Sequence, residues 1–443
     1  MYANMLPILD KEFIPAIVWN REFLSTASIP VAIAIERENG LIYRYGTKIG
    51  EDGERNRFYI ERLVKMIMWS VGGFKIYINN EEMAKYIAGC YSDNGLRAFD
   101  KGFMERVYEK AFEVVYTQDI PETKSNSVSI GRNMQGNRIG FDAGGSDMKV
   151  SAMKNGEVIF SEEIVWLPKE SDNPDYHYRH IKAAIQKGVG KLGGTIDALG
   201  VSSAGVYVAN RAMVASLFIK IPQEQFDAKI KDIYINIANE LGVPVHVAND
   251  GDVAALAGSM CLEKNGVLGV AMGTSEAGGY VDQNGKITGW LNELAFTPVD
   301  YNTSSMRDEW SGDFGVGAKY FSQDAVIKLA PKAGITLSDS LTPAEKLKEV
   351  QKLAEYKQEG ALQIFETIGV YFGYAIAHYA EFYDINYLQV LGRVTSGIGG
   401  DIIIEQANKV LNEEFPELAK KITIYVPDEY ERRVGQSIAA ASL

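Results

Sequence analysis

The chain has 443 residues, of which 46% are hydrophobic and 23% are charged, a composition typical of globular proteins and unlike that of a disordered chain. The net charge of −13 opposes contact with phosphate backbones, so no nucleic-acid partner is expected. The two cysteines, Cys90 and Cys261, are too few for a disulfide framework or a cysteine-rich zinc site.

The sequence shows no signal for export or membrane insertion. Residues Met1 to Asp10 lack the basic start and apolar run of a signal peptide. The apolar stretch from Gly369 to Tyr383 is interrupted by His378 and Glu381 and is too short to cross a bilayer. We therefore expect a cytoplasmic protein with no membrane partner.

Residues 1–130 are predicted to form a small α/β domain of unknown role. A hairpin is expected over 31–49 around Asn39-Gly40, because this pair adopts the positive φ angles of a tight turn. Helices over 57–71, 81–91 and 100–113 and a strand over 74–78 complete the domain. Acidic residues alternate with the basic ones, which argues against DNA binding. Its packing on its own chain or on a second subunit is expected to use Trp69, Phe74, Tyr77 and Tyr86.

A repeated pattern follows a predicted linker over 119–138, which is rich in Ser, Asn, Gly and Thr. A strand, a tight turn, a strand, an Asn-Gly turn and a third strand begin at Ile139 and again at Val267. The repeat predicts two lobes, 139–250 and 251–443, each with a mixed sheet flanked by helices. The final helix, from Glu429, is expected to return to the first lobe.

The elements between and after the repeats alternate between helices and strands. In the first lobe, helices are predicted over 175–187 and 223–241, and strands over 196–202 and 244–248. A helix over 253–262 then leads into the second repeat. Thr342-Pro343-Ala344-Glu345 has the capping residue, proline and glutamate that start a helix. The remaining predicted elements are helices over 361–382 and 401–414 and strands over 387–391 and 422–426.

Four turns of small residues lie where apolar strands end. Such turns leave backbone N–H groups free to bind phosphate oxygens, and the hydroxyls of Ser146 and Thr274 add donors. One such turn alone is usually only a turn, but a pair in repeated lobes predicts nucleotide phosphates held between the lobes. The turns are Asp142–Ser146, Ser202–Gly205, Gly273–Ser275 and Gly392–Gly400.

Polar side chains at two strand ends suggest phosphoryl-transfer chemistry. Asp142 either accepts N–H groups of its own turn or holds Mg²⁺ through water. In Asn249-Asp250-Gly251-Asp252, Asp252 suits the N-cap of the next helix. Asp250 is the candidate general base for a hydroxyl that attacks phosphorus, and Asn249 would orient the same substrate.

Taken together, these segments resemble the ROK family (repressors, open reading frames and sugar kinases) over about residues 139–443. IGFDAGGSDMKV resembles its first phosphate motif and LGVAMGTSEAGG its second. LGVSSAG, VANDGDVAALAGS, LQVLGRVTSG and LNELAFTPVD resemble the glycine loop, the base segment, the adenosine loop and a sugar-binding segment. The resemblance implies phosphate or nucleotide contacts for Asp142, Gly144, Gly145, Ser146, Lys149, Gly273, Thr274, Gly392, Ser396 and Gly397, and substrate contacts for Asn249, Asp250 and Glu293.

The resemblance implies an α/β fold of the actin-like or hexokinase-like ATPases, with duplicated ribonuclease H-like lobes preceded by the small domain. It further implies an ATP- and Mg²⁺-dependent kinase that phosphorylates a sugar or sugar-derivative hydroxyl. A homodimer is a separate expectation. Asp250 would be its base, and Asp142 would hold Mg²⁺ through water. The alternative is a sugar-sensing transcriptional regulator that keeps the fold without catalysis.

The chain also departs from the family pattern. Phe296 stands where the family has a zinc-binding histidine, and the family's cysteine run is missing, so no zinc site is expected. The second phosphate motif reads Gly-Thr-Ser-Glu where the family has Gly-Thr-Gly-x-Gly, so Ser275 replaces a glycine and Glu276 follows it. Glu276 is expected near the phosphate, where its charge would be repulsive. The sequence does not identify the sugar or decide whether this change abolishes catalysis.

Overall fold

A computed structural model describes residues 3–125, 130–427 and 429–443, with the backbone alone over 429–434. Its helices and mixed sheets confirm the predicted α/β fold class. Part of the predicted linker, residues 126–129, lies outside the described residues. In the described parts of the chain, no helix has the length and apolar character needed to cross a membrane.

The N-terminal region contains a four-stranded sheet in the order β2-β1-β3-β4. The predicted hairpin is present, with Glu36 paired to Ile42 next to its turn. Helix α1 and strand β4 were not predicted. The strands are β1 Ile29–Glu36, β2 Ile42–Ile49, β3 Lys75–Ile78 and β4 Glu113–Tyr116, and the helices are α1 Ala16–Thr26, α2 Gly53–Ser70, α3 Glu81–Cys90 and α4 Ala98–Tyr108.

The first lobe contains a five-stranded sheet in the order β11-β8-β5-β6-β7. Strands β5, β8 and β11 are parallel, whereas β6 and β7 are antiparallel to their neighbours. The elements are β5 Asn137–Ala143, β6 Asp147–Lys154, β7 Glu157–Val165, α5 Pro174–Lys191, β8 Ala198–Ser203, β9 Val206–Val208, β10 Arg211–Val214, α6 Gln223–Gln225, α7 Ile233–Leu241 and β11 Val245–Asn249.

The second lobe repeats much of this arrangement in the order β13-β12-β14-β15. Its β12 is antiparallel to β13 and parallel to β14, as β5 is to β6 and β8. The elements are α8 Asp250–Leu262, β12 Val267–Met272, β13 Glu276–Val281, α9 Gln323–Leu329, α10 Pro343–Glu355, α11 Glu359–Tyr379, β14 Tyr387–Leu391, α12 Ile398–Glu414, α13 Pro416–Lys421, β15 Thr423–Tyr425 and α14 Glu429–Ala441.

Two details of the second lobe differ from the sequence interpretation. The third strand predicted over 286–288 is wrong, because only an isolated bridge joins Val281 to Ile287. The helix predicted from residue 253 begins at Asp250 instead. By contrast, the predicted start of α10 is confirmed, because Thr342 and Glu345 form a complete capping box.

The final helix α14 packs on the first lobe, against β5 and β8. Glycines make this close approach possible. A Cβ atom added at Gly140 would lie 1.9 Å from the carbonyl oxygen of Ser437, and one at Gly200 would lie 1.7 Å from that of Ala440. Any larger residue at either position would therefore push the helix away from the sheet.

The hydrophobic cores do not follow the division of the sheets into an N-terminal region and two lobes. One continuous core joins the N-terminal region, from Phe13 to Met104, to the second lobe, from Leu268 to Ile422. The first lobe has its own core. At the junction of the shared core, Trp69 of α2 packs on Phe296, with 4.4 Å between the ring centroids. The N-terminal region and the second lobe therefore pack as one body.

A buried ionic cluster strengthens the same junction. Arg62 and Arg97 lie 3.1 and 2.9 Å from the carboxylate of Asp313, which belongs to the segment between β13 and α9. Lys65 lies 2.9 Å from Asp100 and 3.5 Å from Asp313. Glu61 pairs with both arginines. Three cations thus balance three carboxylates, all of them buried.

Candidate active site

The first phosphate turn lies where β5 ends and β6 begins. The Gly144 N–H donates to the Asp147 carbonyl at 3.0 Å, and the Trp166 indole donates to the Gly144 carbonyl at 2.8 Å, so the turn is firmly held. Gly145 and Ser146 are exposed. Lys149 is paired in register with Asp142 across β5 and β6, which places both side chains on one face of the sheet.

Asp142 lies at the C-terminal end of β5 and is 7% exposed. One of its carboxylate oxygens accepts a hydrogen bond of 2.6 Å from Ser202. Burial raises the pKa of Asp142 to about 6, the Ser202 bond opposes this, the nearby charge of Asp250 adds to it, and Lys149 lowers it. The hydrogen bond occupies Oδ1, which leaves Oδ2 for a ligand.

Asn249 and Asp250 lie at the end of β11, two strands away from Asp142 in the same sheet. Asn249 caps α8, since its Oδ1 accepts the Gly251 N–H at 2.7 Å. Its Nδ2 donates to the Gly205 carbonyl at 2.7 Å. The cap predicted at Asp252 is therefore wrong. Asn249 retains one donor and one lone pair for a substrate.

Asp250 stands in the first turn of α8 and keeps part of its surface accessible. Burial of the Asp250 carboxylate raises its pKa, and the hydrogen bond from the Gly251 N–H opposes this shift. A carboxylate with a raised pKa is a stronger base than an ordinary aspartate and accepts a proton more readily. The geometry therefore suits Asp250 to act as a general base.

Two more carboxyl groups lie near Asp250. Burial raises the pKa of Asp252 to about 7, although the Tyr280 N–H and the Asn292 amide donate to it at 3.1 and 2.8 Å. Burial also raises the pKa of Glu293 to about 7, and the charges of Asp250 and Asp252 add to this shift. The side chain of Glu293 makes no hydrogen bond to any described residue. It is thus free to bind a hydroxyl.

The second phosphate turn, between β12 and β13, exposes Thr274 and Ser275. The Gly273 N–H donates to the Ser275 carbonyl at 3.0 Å. The expectation that Glu276 faces the phosphate is wrong. Its side chain is 3% exposed and accepts a 3.0 Å hydrogen bond from Tyr379 of α11. Burial raises its pKa to about 8, so at neutral pH this carboxyl group is largely uncharged.

The predicted adenosine loop follows β14, beside the second phosphate turn. A Cβ atom at Gly392 would lie 2.2 Å from the carbonyl oxygen of Met272, so only glycine allows this approach. Ser396 and Gly397 are exposed, and Gly397 precedes α12. Gln351 of α10 donates to the Arg393 carbonyl at 2.7 Å and fixes the loop.

The N-terminal region closes one side of the cleft, which the sequence did not predict. The backbone N–H groups of residues 291–293 donate to the carbonyl groups of residues 69–71 over 2.9–3.2 Å. A small cavity of about 80 Å³ lies between this junction and the first lobe. Its lining includes Arg37 and Tyr108 from the N-terminal region, together with Asn249 and Asp252. Glu293 is therefore placed by the N-terminal region.

No cluster of three or more histidine, cysteine, aspartate or glutamate side chains within the described ranges has an arrangement suited to a metal ion. Phe296, which the resemblance aligns with a zinc-binding histidine, packs in a tilted contact on Trp69 in the shared core. This site is thus filled by aromatic packing. The expectation of a zinc-free protein stays a prediction.

Comparison with protein-family models and with curated proteins gives no match. Among solved structures, the ROK hexokinase from Thermus thermophilus matches with a TM-score of 0.54 and 15% identity, over 69% of this chain and 97% of that one. A ROK family transcriptional regulator, a homolog of the E. coli MLC protein, matches with a TM-score of 0.52 and 14% identity, over 69% of this chain and 76% of that one. The chain has the fold of the ROK proteins.

Proposed function

We propose that the chain is a member of the ROK family and an ATP-dependent kinase that phosphorylates a hydroxyl of a sugar or sugar derivative. The observation that carries the proposal is the position of Asp250. Asp250 follows β11 at the same edge of the sheet at which parallel strand β5 presents Asp142, and burial and the Asp250 charge together raise the pKa of both Asp142 and Glu293. A base, a phosphate-binding turn and a hydroxyl-binding group are the components that phosphoryl transfer to an alcohol requires.

In the proposed reaction, Asp250 removes the proton of an acceptor hydroxyl as its oxygen attacks the γ-phosphorus of ATP, and ADP leaves. Asn249 and Glu293 orient the acceptor. Exposed backbone N–H groups at Gly145 and Thr274, with the hydroxyls of Ser146 and Thr274, stabilise the transferring phosphoryl group. The loop Gly392–Gly397 would hold the adenosine side of ATP.

The donor set at Asp142 fits Mg²⁺. Its Oδ1 is engaged by Ser202, while Oδ2 makes no hydrogen bond to a described residue. A single carboxylate that binds through water suits an ion that retains most of its own waters. When bound, Mg²⁺ would neutralise charge on the phosphates. Within the chain itself, Lys149 adds a positive charge on the same face.

The altered second phosphate motif does not argue against this activity. Glu276 points into the core and is largely neutral, so it adds no negative charge at the turn. The non-catalytic regulator remains the alternative proposal, because the fold is shared by a kinase and by a regulator. The general-base position of Asp250 favours the kinase, since a sensor needs no base.

A panel of sugars and sugar derivatives, assayed for ADP release with ATP and Mg²⁺, tests the proposal. We expect at least one acceptor to give turnover that is lost in Asp250→Asn. A protein that binds a sugar tightly but releases no ADP with any acceptor would favour the regulator instead. The predicted three-part division into 1–130, 139–250 and 251–443 and the predicted cytoplasmic location are part of the same proposal.

A further inference from the structure

A second cavity lies between the N-terminal sheet and the second lobe. It is lined by residues 41–43 at the start of β2, by residues 123–125 and by parts of the segment 280–290. Its volume is about 420 Å³, within the range of about 300–1,000 Å³ that is usual for small-molecule sites. It adjoins the end of β13 at Val281, whereas the phosphate turn adjoins the other end. The cavity is therefore distinct from the phosphate turns.

One wall of this cavity is aromatic and held in place. Tyr43 of β2 meets Trp290 edge to face, with ring centroids 5.5 Å apart, and Tyr280 stacks on Trp290 with centroids 6.0 Å apart. The Tyr280 hydroxyl donates to the Asp384 carbonyl at 3.1 Å. Tyr43 and Trp290 keep part of their surface exposed. Such a wall suits the apolar face of a sugar ring.

The charges around the cavity are not balanced within the protein. The Asp282 carboxylate accepts the N–H groups of Asn284 and Lys286, each at 2.9 Å, and Asp384 pairs with Lys421. The ammonium groups of Lys124 and Lys286 form no ion pair with any described residue. Among the described residues, the lining thus holds two lysines without an ion pair against one carboxylate without a cation partner, Asp282, which leaves an excess of positive charge.

Arg37 supplies a buried cation at the back of the cavity. It is 4% exposed, and its Nη2 donates to the Gly289 carbonyl and to Glu38. Its Nε has no hydrogen-bond partner among the described residues. Arg37 also lines the smaller cavity beside Asn249. Because its guanidinium is paired with Glu38 and its Nε is enclosed by protein, Arg37 forms part of the wall and leaves the binding of an anion to Lys124 and Lys286.

We propose that this cavity binds an anionic monosaccharide, meaning a phosphorylated or carboxylated sugar. The ring would lie against Tyr43 and Trp290, and the anionic group would pair with Lys286 and Lys124. The side-chain amides of Gln283 and Asn284 also line the cavity; Gln283 already bonds Asp384 and Asn386 and Asn284 bonds Asp282, but each amide keeps one further N–H and a lone pair for a ring hydroxyl. The site does not depend on the kinase activity proposed above.

The test is calorimetric titration of the full chain carrying Asp250→Asn, without nucleotide, so that no turnover occurs. Glucose 6-phosphate and glucuronate are the probes, and glucose is the uncharged control. We expect one of the two anions to bind and glucose to bind more weakly at this site. Lys286→Ala should weaken the anion about tenfold, the usual effect of losing one charge-assisted hydrogen bond. The matched control Lys154→Ala should change nothing.

Two further variants separate this site from the acceptor site. Glu293→Gln alters the acceptor site and should leave the anion's affinity unchanged, whereas Trp290→Phe should abolish most of the ligand-induced change in tryptophan fluorescence. The proposal is overturned if neither anion binds at millimolar concentration. It is equally overturned if binding falls with Glu293→Gln and not with Lys286→Ala, or if ADP displaces the anion.

Discussion

The carboxyl groups in the cleft change one another's pKa values. Asp142, the pair Asp250 and Asp252, and Glu293 come from three separate segments. Burial raises the pKa of each, and neighbouring carboxylates raise those of Asp142, Asp252 and Glu293 further. Arg37 acts in the opposite direction on Asp252. Burial makes Asp250 a stronger proton acceptor than an ordinary aspartate, which favours proton transfer from a hydroxyl.

Asp250→Asn should lower kcat about 10²–10⁴-fold, because the amide cannot accept the proton of the acceptor hydroxyl. ATP binding should change little, since Asp250 is not a member of the phosphate turns. Steady-state kinetics and nucleotide titration measure the two effects. Asp339→Asn, at an exposed site, serves as the control. A variant that retains most of its turnover would show that another group is the base.

The raised pKa of Asp250 also predicts the pH dependence of turnover. The base must be deprotonated, so kcat/KM should fall as the pH drops through its pKa. The acid limb should lie above the value of about 3.9 for an ordinary aspartate. Initial rates with ATP and Mg²⁺ from about pH 3 to 9 test this expectation. An acid limb at or below the pKa of an ordinary aspartate would contradict it.

Glu276 gives a prediction about stability. Its carboxyl pKa is raised from 4.5 to about 8 in the folded protein, so the folded state binds a proton that the unfolded state releases above about pH 4.5. The stabilisation is full below that pH and is lost as the pH rises toward 8. The side chain of Glu276→Gln does not titrate, so the variant's stability lacks this pH dependence, and its amide oxygen can still accept the hydrogen bond from Tyr379.

In urea denaturation, the free energy of unfolding of Glu276→Gln should therefore increase relative to that of the wild type as the pH rises from 5 to 8. The difference should grow by at most about 1.4 kcal/mol per pH unit. Glu293→Gln cannot serve as the control because its pKa is also shifted, whereas exposed Glu263→Gln can. A difference that is constant with pH would place a charged carboxylate at 276 throughout.

Among the elements, the segment between β13 and α9 depends on the N-terminal region. Asp313 in this segment contacts Arg62 and Lys65 of α2, and Arg97 beside α4. Arg62 and Lys65 are 0% exposed. Asp313→Asn would leave these cations with one carboxylate too few in a medium that solvates them poorly. We expect a loss of about 3–5 kcal/mol, measured by chemical denaturation, with Asp339→Asn as the control. A loss below about 1 kcal/mol would mean that water reaches the cluster.

Sequence reasoning located the regular elements better than the contacts between them. Strand β14 was predicted with its observed limits, and the capping box located the start of α10. Helix α1 was missed because Pro15, which precedes it, offers no side-chain cap. Strand β4 has only four residues, which are partly exposed and therefore show no apolar alternation.

The errors at the site have a common physical reason. Glu276 was expected to face the phosphate, but its neighbours Tyr379 and Gly317 are distant in sequence and provide a buried pocket for its carboxyl group. The wall around Glu293 was missed for the same reason, since residues 69–71 and 291–293 pair only after folding. Asp142 and Asp250 were both predicted in the first lobe, and both lie where parallel strands of its sheet end.

For the whole molecule, the shared core means that residues 1–130 are not an independent attachment. Removing them would expose the second lobe's side of that core, including Phe296, and leave Asp313 without its partners. We expect the truncated chain to aggregate or to change its oligomeric state, as seen by size-exclusion chromatography with light scattering. A soluble monomer with the thermal stability of the full chain would contradict the shared core.

The continuous core also has a consequence during synthesis. About 160 residues separate Met104, the last N-terminal residue of that core, from Leu268, the first contributed by the second lobe. At about 5–20 residues per second, the ribosome needs on the order of 10–30 s to make this stretch. Throughout that interval the nascent N-terminal helices present apolar faces whose partners do not yet exist. Chaperones that shield such faces should therefore raise the yield of the full chain more than that of the first lobe alone.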